Sequence, residues 1–278
     1  GRQQLVVFIV NEHDGPPPLG TPCHARVAST DVTSERMQYA IRLFCSSELA
    51  VSSEVFHETL GWPVSCRSDI VNLNLPLTWQ APGLPAPNPS QRAAIAAVMY
   101  KPRGISVIQG PPGTGKTDTL TALTFFLTLQ GRPRVLVVAP SNSAADNLAL
   151  RLHKTGLSTI RVNAPNHKSA EELPEAVSLV GHSRRFVAKA DAEALQHLAK
   201  LEERFGELSR ADVRRQRRIA DDCESQAIEA AQVVVTTCAT AGERRLMEHA
   251  FPIVIVDEAT QATEPETLIP MTRGCQQL

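Results

Sequence analysis

Residues 110–117 combine the residue types and the spacing that hold the phosphates of a nucleotide. They read Gly-Pro-Pro-Gly-Thr-Gly-Lys-Thr and match the pattern G-x-x-x-x-G-K-[ST] in full. In this pattern glycines let backbone N–H groups face the phosphates, the lysine reaches the β- and γ-phosphates, and the last hydroxyl binds Mg²⁺. The predicted nucleotide-binding residues are Gly110, Pro111, Pro112, Gly113, Thr114, Gly115, Lys116 and Thr117. A glycine-rich turn without a ligand is the alternative, and the complete match disfavours it.

An apolar run that ends in two carboxylates supplies the second half of such a site. Residues 251–256 are followed by Asp257 and Glu258. We predict that Asp257 binds Mg²⁺ together with Thr117, and that Glu258 polarises the attacking water. Lys116, Asp257 and Glu258 are therefore the predicted catalytic residues. Taken alone, such a run is more often a surface cap, and the phosphate loop upstream favours the catalytic interpretation.

The elements that must position these residues alternate along the chain after residue 88. Strands are expected at 105–109, 135–139, 159–162, 233–237 and 253–257, and helices at 91–100, 115–129 and 144–155. Because the strand runs are apolar on both faces, we expect an α/β fold with a buried parallel sheet. The stretch 184–231 has no strand pattern and predicts a helical hairpin inserted into this fold.

The residues before the sheet have a different pattern. Short strands are expected at 4–10 and 24–29, and helices at 33–44 and 53–60. The proline-dense segment 81–89 then predicts a linker and the main domain boundary.

Composition limits the class of protein. The 278 residues carry a net charge of −1, with six cysteines and no C-x-x-C pair. We expect neither a disulfide framework nor a zinc site, no apolar run spans a membrane, and any nucleic-acid contact must come from a local basic patch. The expected location is cytoplasmic, with the nucleus as an alternative. Because the chain opens with Gly1 and stops at the approach to another strand, we expect it to be a piece of a larger protein.

Five short motifs in a fixed order carry a resemblance to a known family. They are Asn88-Pro-Ser-Gln91, Ala139-Pro-Ser-Asn142, Gly206-Glu-Leu-Ser-Arg-Ala-Asp212, Val235-Thr-Thr-Cys238 and Asp257-Glu-Ala-Thr-Gln-Ala-Thr-Glu-Pro-Glu266. With the phosphate loop, they resemble superfamily 1 RNA and DNA helicases of the up-frameshift-like branch, whose best-known member acts in nonsense-mediated mRNA decay. The DEATQ run and the glutamine motif argue against a hexameric ATPase.

The resemblance implies a division of the chain. Residues 1–30 would be the tail of a small β-barrel insert, and 31–87 stalk helices with a proline-rich linker. Residues 88–278 would be a first RecA-like motor domain, truncated at its C-terminus, with a helical insert at 166–232.

The resemblance also implies roles for further residues. Gln91 would read adenine and so favour ATP, and Gln261 would couple the γ-phosphate to motion. Contacts with single-stranded RNA would come from Ser141, Asn142, Thr236, Thr237, Arg214 and Arg218. From spacing alone, Gln91 is an ordinary first-turn helix residue, Ser141 and Asn142 are a helix cap, and the basic helix face is merely solvated.

The implied function is that of an ATP-dependent RNA helicase or translocase, of which this chain is the first motor half. The arginine fingers of such a motor lie in its second RecA-like domain, so we expect the chain alone to be nearly inactive. The expected partners are ATP, Mg²⁺, single-stranded RNA and, by resemblance only, mRNA-decay proteins. A non-motor nucleotide-binding or interaction module and a DNA-directed relative remain open as alternatives.

Overall fold

Four parallel strands form the centre of the fold. They are β1 (Val135–Ala139), β2 (Thr159–Arg161), β3 (Val233–Thr237) and β4 (Ile253–Val256). The computed structural model describes residues 32–46, 51–62, 64, 79–100, 104–129, 131, 134–164 and 173–278. The strand order is β2-β3-β1-β4, and every pair in it is parallel. The predicted α/β fold with a buried parallel sheet is confirmed.

Ten α-helices surround the sheet within the described residues. They are α1 (Val32–Phe44), α2 (Ser53–Thr59), α3 (Pro89–Tyr100), α4 (Lys116–Leu129), α5 (Asn142–Lys154), α6 (Leu179–Ser183), α7 (Lys189–Phe205), α8 (Arg210–Ala230), α9 (Arg244–Met247) and α10 (Glu264–Met271). The helices expected at 33–44, 53–60, 91–100, 115–129 and 144–155 are all present, with ends that differ by at most two residues.

Both faces of the sheet are buried, which explains the continuous β-branched runs. Successive side chains of a strand point to opposite faces, so Val135 and Val137 enter one core while Leu136 and Val138 enter the other. The first core is closed by apolar residues of α3, α4 and α5, and the second by those of α1, α8 and α10.

The segment predicted as a strand at 105–109 does not form a regular strand. It pairs with one residue: Ser106 N–H donates to the carbonyl of Leu278 (2.7 Å), and Leu278 N–H donates to the carbonyl of Gly104 (2.7 Å). Gln277 in turn forms a parallel bridge with Ile253 of β4. Two hydrogen bonds make too short a ladder for a strand, so this prediction is wrong, although the segment does lie in line with the sheet.

Helix α2 is fixed to the segment that leads into the phosphate loop. The Glu58 carboxylate accepts a hydrogen bond from Ile105 N–H (2.5 Å), and Ser52 N–H donates to the carbonyl of Cys275 (2.9 Å). A Cβ on Gly104 would lie 2.7 Å from backbone atoms of Glu54 and Val55, so only glycine permits this close approach.

The stretch predicted as a helical hairpin contains α7 and α8. Helix α7 ends at Gly206, which has a φ of 77°, and the Ser209 hydroxyl caps the start of α8. Residues Thr33–Leu278 form one compact unit. No helix among the described residues is long and apolar enough to cross a membrane. The strands expected at 4–10 and 24–29, and with them the β-barrel tail, lie outside the described residues; the boundaries at 31–87, 88–278 and 166–232 stay predictions.

Candidate nucleotide and nucleic-acid site

The phosphate loop joins the extended segment to the first turn of α4. Gly113 and Gly115 both have a φ of 76°, a region that L side chains rarely adopt. The Thr114 hydroxyl donates to the carbonyl of Pro111 (2.8 Å), which closes the loop on itself. The loop therefore ends at a helix N-terminus, where unpaired backbone N–H groups and the helix dipole favour an anion.

Lys116 lies over the loop. Its ammonium group donates to the carbonyls of Gly110 (2.8 Å) and Pro111 (2.9 Å), which are both neutral acceptors. An anionic phosphate oxygen is a stronger acceptor than a carbonyl. The lysine is thus already at the loop and can exchange these bonds for contacts with a phosphate.

Thr117 and Asp257 meet although 140 residues separate them in the chain. The Thr117 hydroxyl donates to Asp257 Oδ2 at 3.1 Å, and Asp257 is buried. The contact forms because α4 begins beside the point where β4 ends. Mg²⁺ prefers oxygen ligands and takes only one or two from the protein, with the rest from phosphates and water. Among the described residues no group of three or more metal-binding side chains is present, and this pair fits Mg²⁺ held jointly with a nucleotide.

Glu258 has an unusual backbone conformation. Its φ of 51° makes it the one residue other than glycine with a positive φ among the described residues. Its N–H donates to Asp257 Oδ1 (3.0 Å), and its side chain is exposed. The left-handed region costs an L residue about 1–2 kcal/mol, so strain is stored at a predicted catalytic residue.

Gln91 is held at both ends of its side-chain amide. Its Oε1 accepts from Asn88 N–H (2.8 Å), while Asn88 Oδ1 accepts from Gln91 N–H (2.9 Å), a reciprocal cap at the start of α3. Its Nε2 donates to the carbonyl of Thr114 (3.0 Å), which ties α3 to the phosphate loop. Gln261 is exposed, and its N–H donates to the Glu258 carbonyl (2.8 Å).

Ser141 and Asn142 lie at the start of α5, directly after β1. The Ser141 hydroxyl accepts from Ala144 N–H (3.2 Å) and caps the helix. Asn142 Oδ1 accepts from the guanidinium of Arg161 (3.0 Å). Both residues therefore stand at the carboxyl end of the sheet, where α/β folds bind ligands.

Thr236 and Thr237 are buried, and their predicted contact with a nucleic-acid strand stays a prediction. Thr236 is fully buried and its hydroxyl donates to the carbonyl of Val162 (2.8 Å). The Thr237 hydroxyl donates to Thr240 Oγ1 (2.8 Å). Both hydroxyls therefore donate within the protein. Thr236 points to the same face as Val234, and because both faces of the sheet are buried, its place within the apolar run of β3 was the available signal of its burial.

Arg214 and Arg218 are exposed on α8, away from the phosphate loop in sequence. Arg218 forms a loose ion pair with Asp222 (4.0 Å) in which both side chains stay mostly exposed. Such a pair contributes little to stability, so the arginines remain available to an external anion.

Sequence reasoning missed two buried ionic groups at this end of the sheet. Arg161 is 1% exposed and pairs with Asp146 (2.7 Å). Glu243 is also buried and accepts from Arg245 (2.6 Å), whose guanidinium contacts Glu224 of α8 (3.2 Å). An arginine within an otherwise apolar strand run was the available signal, because a buried charge needs a partner.

Comparison with known proteins identifies a family and several relatives of the chain. A sequence profile described as AAA domain matches residues 86–204 and 182–278. Regulator of nonsense transcripts 1 homolog of Neurospora crassa is 39% identical over 88% of this chain and 22% of its own length. ATP-dependent helicase upf1 of Schizosaccharomyces pombe is 40% identical over 88% of this chain and 26% of its own. ATP-dependent helicase NAM7 of Saccharomyces cerevisiae is 36% identical over 95% and 26%, respectively.

The chain spans only about a fifth to a quarter of the length of these curated relatives. The AAA domain profile, by contrast, covers well over half of the chain itself. The chain therefore belongs to the AAA domain family, and the three relatives confirm its resemblance to helicases of the up-frameshift-like branch.

Proposed function

We propose that this chain is the nucleotide-binding half of an ATP-dependent motor that moves along single-stranded RNA. The observation that carries the proposal is the contact between Thr117 and Asp257, which brings the phosphate loop and the acidic strand end into one site. A glycine-rich turn or a surface cap would give no reason for this contact between residues so far apart in the chain.

Within the site each side chain has a distinct task. Lys116 leaves the loop carbonyls to hold the β- and γ-phosphates of ATP, and Gln91 turns its amide towards adenine. Thr117 and Asp257 hold Mg²⁺, which neutralises charge that develops on the phosphates. Glu258, strained and exposed beside Asp257, accepts a proton from the attacking water. Gln261, three residues after Glu258, couples the presence of the γ-phosphate to motion of the motor.

The nucleic-acid strand would lie along the carboxyl end of the sheet. Ser141 and Asn142 at the start of α5 are exposed or half-buried polar groups at that end. Arg214 and Arg218 of α8 would add charged contacts with the strand. The hydroxyls of the buried residues Thr236 and Thr237 would not contact the strand themselves. They would fix the backbone at the end of β3, against which the strand lies.

Hydrolysis, translocation, a role in mRNA decay, protein partners and a cytoplasmic location are proposed for the whole protein and not for this chain alone. The relatives named as a regulator of nonsense transcripts and an ATP-dependent helicase are several times longer than this chain. The chain contributes the ATP and Mg²⁺ site to such a protein. A non-motor nucleotide-binding module and a DNA-directed motor are the alternatives.

A motor differs from a binding module in that its affinity for RNA depends on whether nucleotide is bound. We would measure the affinity of a labelled oligouridylate for the chain with and without a non-hydrolysable ATP analogue and Mg²⁺. A motor half changes its RNA affinity when nucleotide binds, and the same factor appears in the nucleotide affinity when RNA binds. A module that binds nucleotide shows no change, and tighter binding of the matched oligodeoxythymidylate would favour the DNA-directed alternative.

A further inference from the structure

Arg161 connects three segments at the carboxyl end of the sheet. It is the last residue of β2 and its side chain is completely buried. Its Nε donates to Asp146 Oδ1 (2.7 Å), its Nη1 to the carbonyl of Val162 (2.6 Å), and its Nη2 to Asn142 Oδ1 (3.0 Å). Burial lowers the pKa of the guanidinium, and the Asp146 carboxylate opposes that effect. Three differently directed bonds leave this side chain a single orientation.

The contact with Asn142 decides which way its amide faces. A guanidinium has donors but no acceptor, so the Asn142 atom that it touches is the oxygen. The NH₂ group of the same planar amide must then point away from Arg161. Asn142 is half-buried, and within the described part of the chain its side chain takes part in a hydrogen bond only as the acceptor from Arg161, so its NH₂ group donates to no acceptor there. Its free side therefore offers a hydrogen-bond donor to an incoming group.

The same arginine also fixes the end of β3. The Val162 carbonyl that accepts from Arg161 accepts in addition from the hydroxyl of Thr236 (2.8 Å). The start of α5, the end of β2 and the end of β3 are thus joined around one cation. This explains why Thr236 is buried: it belongs to the support of the surface and not to the surface itself.

We propose that Arg161 is a positioning residue for nucleic-acid binding, which keeps the Asn142 NH₂ group turned outwards as a donor to a backbone phosphate of the single strand. The inference rests on the proposed function, because it assumes that a nucleic-acid strand lies at the start of α5. An amide is neutral, so this contact releases no counterion when the strand binds. It differs in that respect from the contacts proposed for Arg214 and Arg218.

A double-mutant cycle on the 278-residue chain tests the inference, with the dissociation constant of a labelled oligouridylate as the readout. Arg161→Lys keeps a cation for Asp146 but cannot also hold Asn142. The Asn142 amide is then free to rotate, and because it must be fixed when RNA binds, RNA affinity should fall about three- to tenfold. Asn142→Ala should weaken it about tenfold. The double variant should bind like Asn142→Ala alone, because Arg161 acts only through Asn142.

Two further readouts separate this role from a merely structural one. Nucleotide affinity and the slope of RNA affinity against salt should both be unchanged in Arg161→Lys. A double variant whose losses multiply, to about thirtyfold or more, would overturn the inference. So would an Arg161→Lys chain that binds RNA as the wild type does.

Asn142→Asp gives an answer even if Arg161→Lys does not fold. It strengthens the bond to Arg161 and suits the first turn of a helix, but it replaces the outward donor with a carboxylate oxygen. We expect more than a tenfold loss of RNA affinity, whereas the matched control Asn147→Asp, exposed on the same helix, should change little. Equal affinities for the two variants would overturn the inference. A wild-type chain that binds nucleotide but no oligouridylate would instead refute the RNA part of the proposed function, and the inference with it.

Discussion

Replacement of Gln91 by alanine separates its structural role from its proposed reading of adenine. The amide of Gln91 makes two hydrogen bonds within the protein, one with Asn88 N–H and one with the carbonyl of Thr114. Both are lost in Gln91→Ala. The bond from the residue's own backbone N–H to Asn88 Oδ1 remains, so α3 keeps half of its cap.

The loss of stability can be worked out from these contacts. A neutral hydrogen bond contributes about 0.5–1.5 kcal/mol, and both bonds of the Gln91 amide are exposed to solvent, which places them at the lower end of that range. The higher helix propensity of alanine offsets a few tenths of a kcal/mol. The net loss is about 0.5–1 kcal/mol, which corresponds to a fall in Tm of roughly 1–4 °C for a domain of this size.

Thermal unfolding without nucleotide and competition between ATP and GTP measure the two roles. We expect Gln91→Ala to lower the Tm and to reduce the preference for ATP, while Gln196→Ala at an exposed position of α7 changes neither. An unchanged Tm would show that the two hydrogen bonds of the Gln91 amide do not stabilise the fold. An unchanged ratio of ATP to GTP affinity would refute the adenine role and leave Gln91 as a link between α3 and the phosphate loop.

Three further predictions concern other parts of the chain. In the full-length protein, Glu258→Gln should leave Mg·ATP affinity unchanged and remove hydrolysis in an RNA-stimulated phosphate-release assay, because glutamine cannot accept the proton of the attacking water. Burial raises the pKa of Cys275 to about 12, so Cys275 should resist alkylation at neutral pH while exposed Cys45 reacts; peptide mass spectrometry checks this. A hydrogen bond with His249 lowers the pKa of Glu229, so this pair stabilises the fold above the unfolded pKa near 4.5 and loses that effect as pH falls further. Glu229→Gln should therefore unfold with a weaker dependence on acid pH.

The sheet could be predicted from the sequence because its strands are buried on both faces. The valine-rich runs of β1 and β3 have no competing pattern, and a complete phosphate loop requires a helix directly after it. The segment 105–109 has a similar composition but is not a regular strand, since strand formation depends on which neighbours lie beside it. Among the described residues, only Leu278 forms a backbone hydrogen bond with it.

The residues of the candidate site could be predicted where a sequence motif specifies their chemistry. They could not be predicted where their role depends on which side chains lie beside them in the fold. Lys116 and Asp257 follow from residue type and order along the chain. Arg161 does not, because nothing in the sequence shows that Asp146 and Asn142 converge on it. The roles of Thr236 and Thr237 came from the motif alone, and their place in a strand run buried on both faces was the available sign that both lie in the core.

Calorimetric titration of a non-hydrolysable ATP analogue tests the central claim, that Lys116, Thr117 and Asp257 form one Mg²⁺-nucleotide site. The wild-type chain, Lys116→Ala and the control Lys200→Ala, an exposed lysine of α7, would each be titrated with Mg²⁺ and with a chelator. The account predicts Mg²⁺-dependent binding to the wild type and to Lys200→Ala, and none to a folded Lys116→Ala chain. The account would be contradicted if Lys116→Ala bound the analogue as tightly as the wild type does. It would also be contradicted if the wild type bound the analogue with the same affinity in Mg²⁺ and in the chelator.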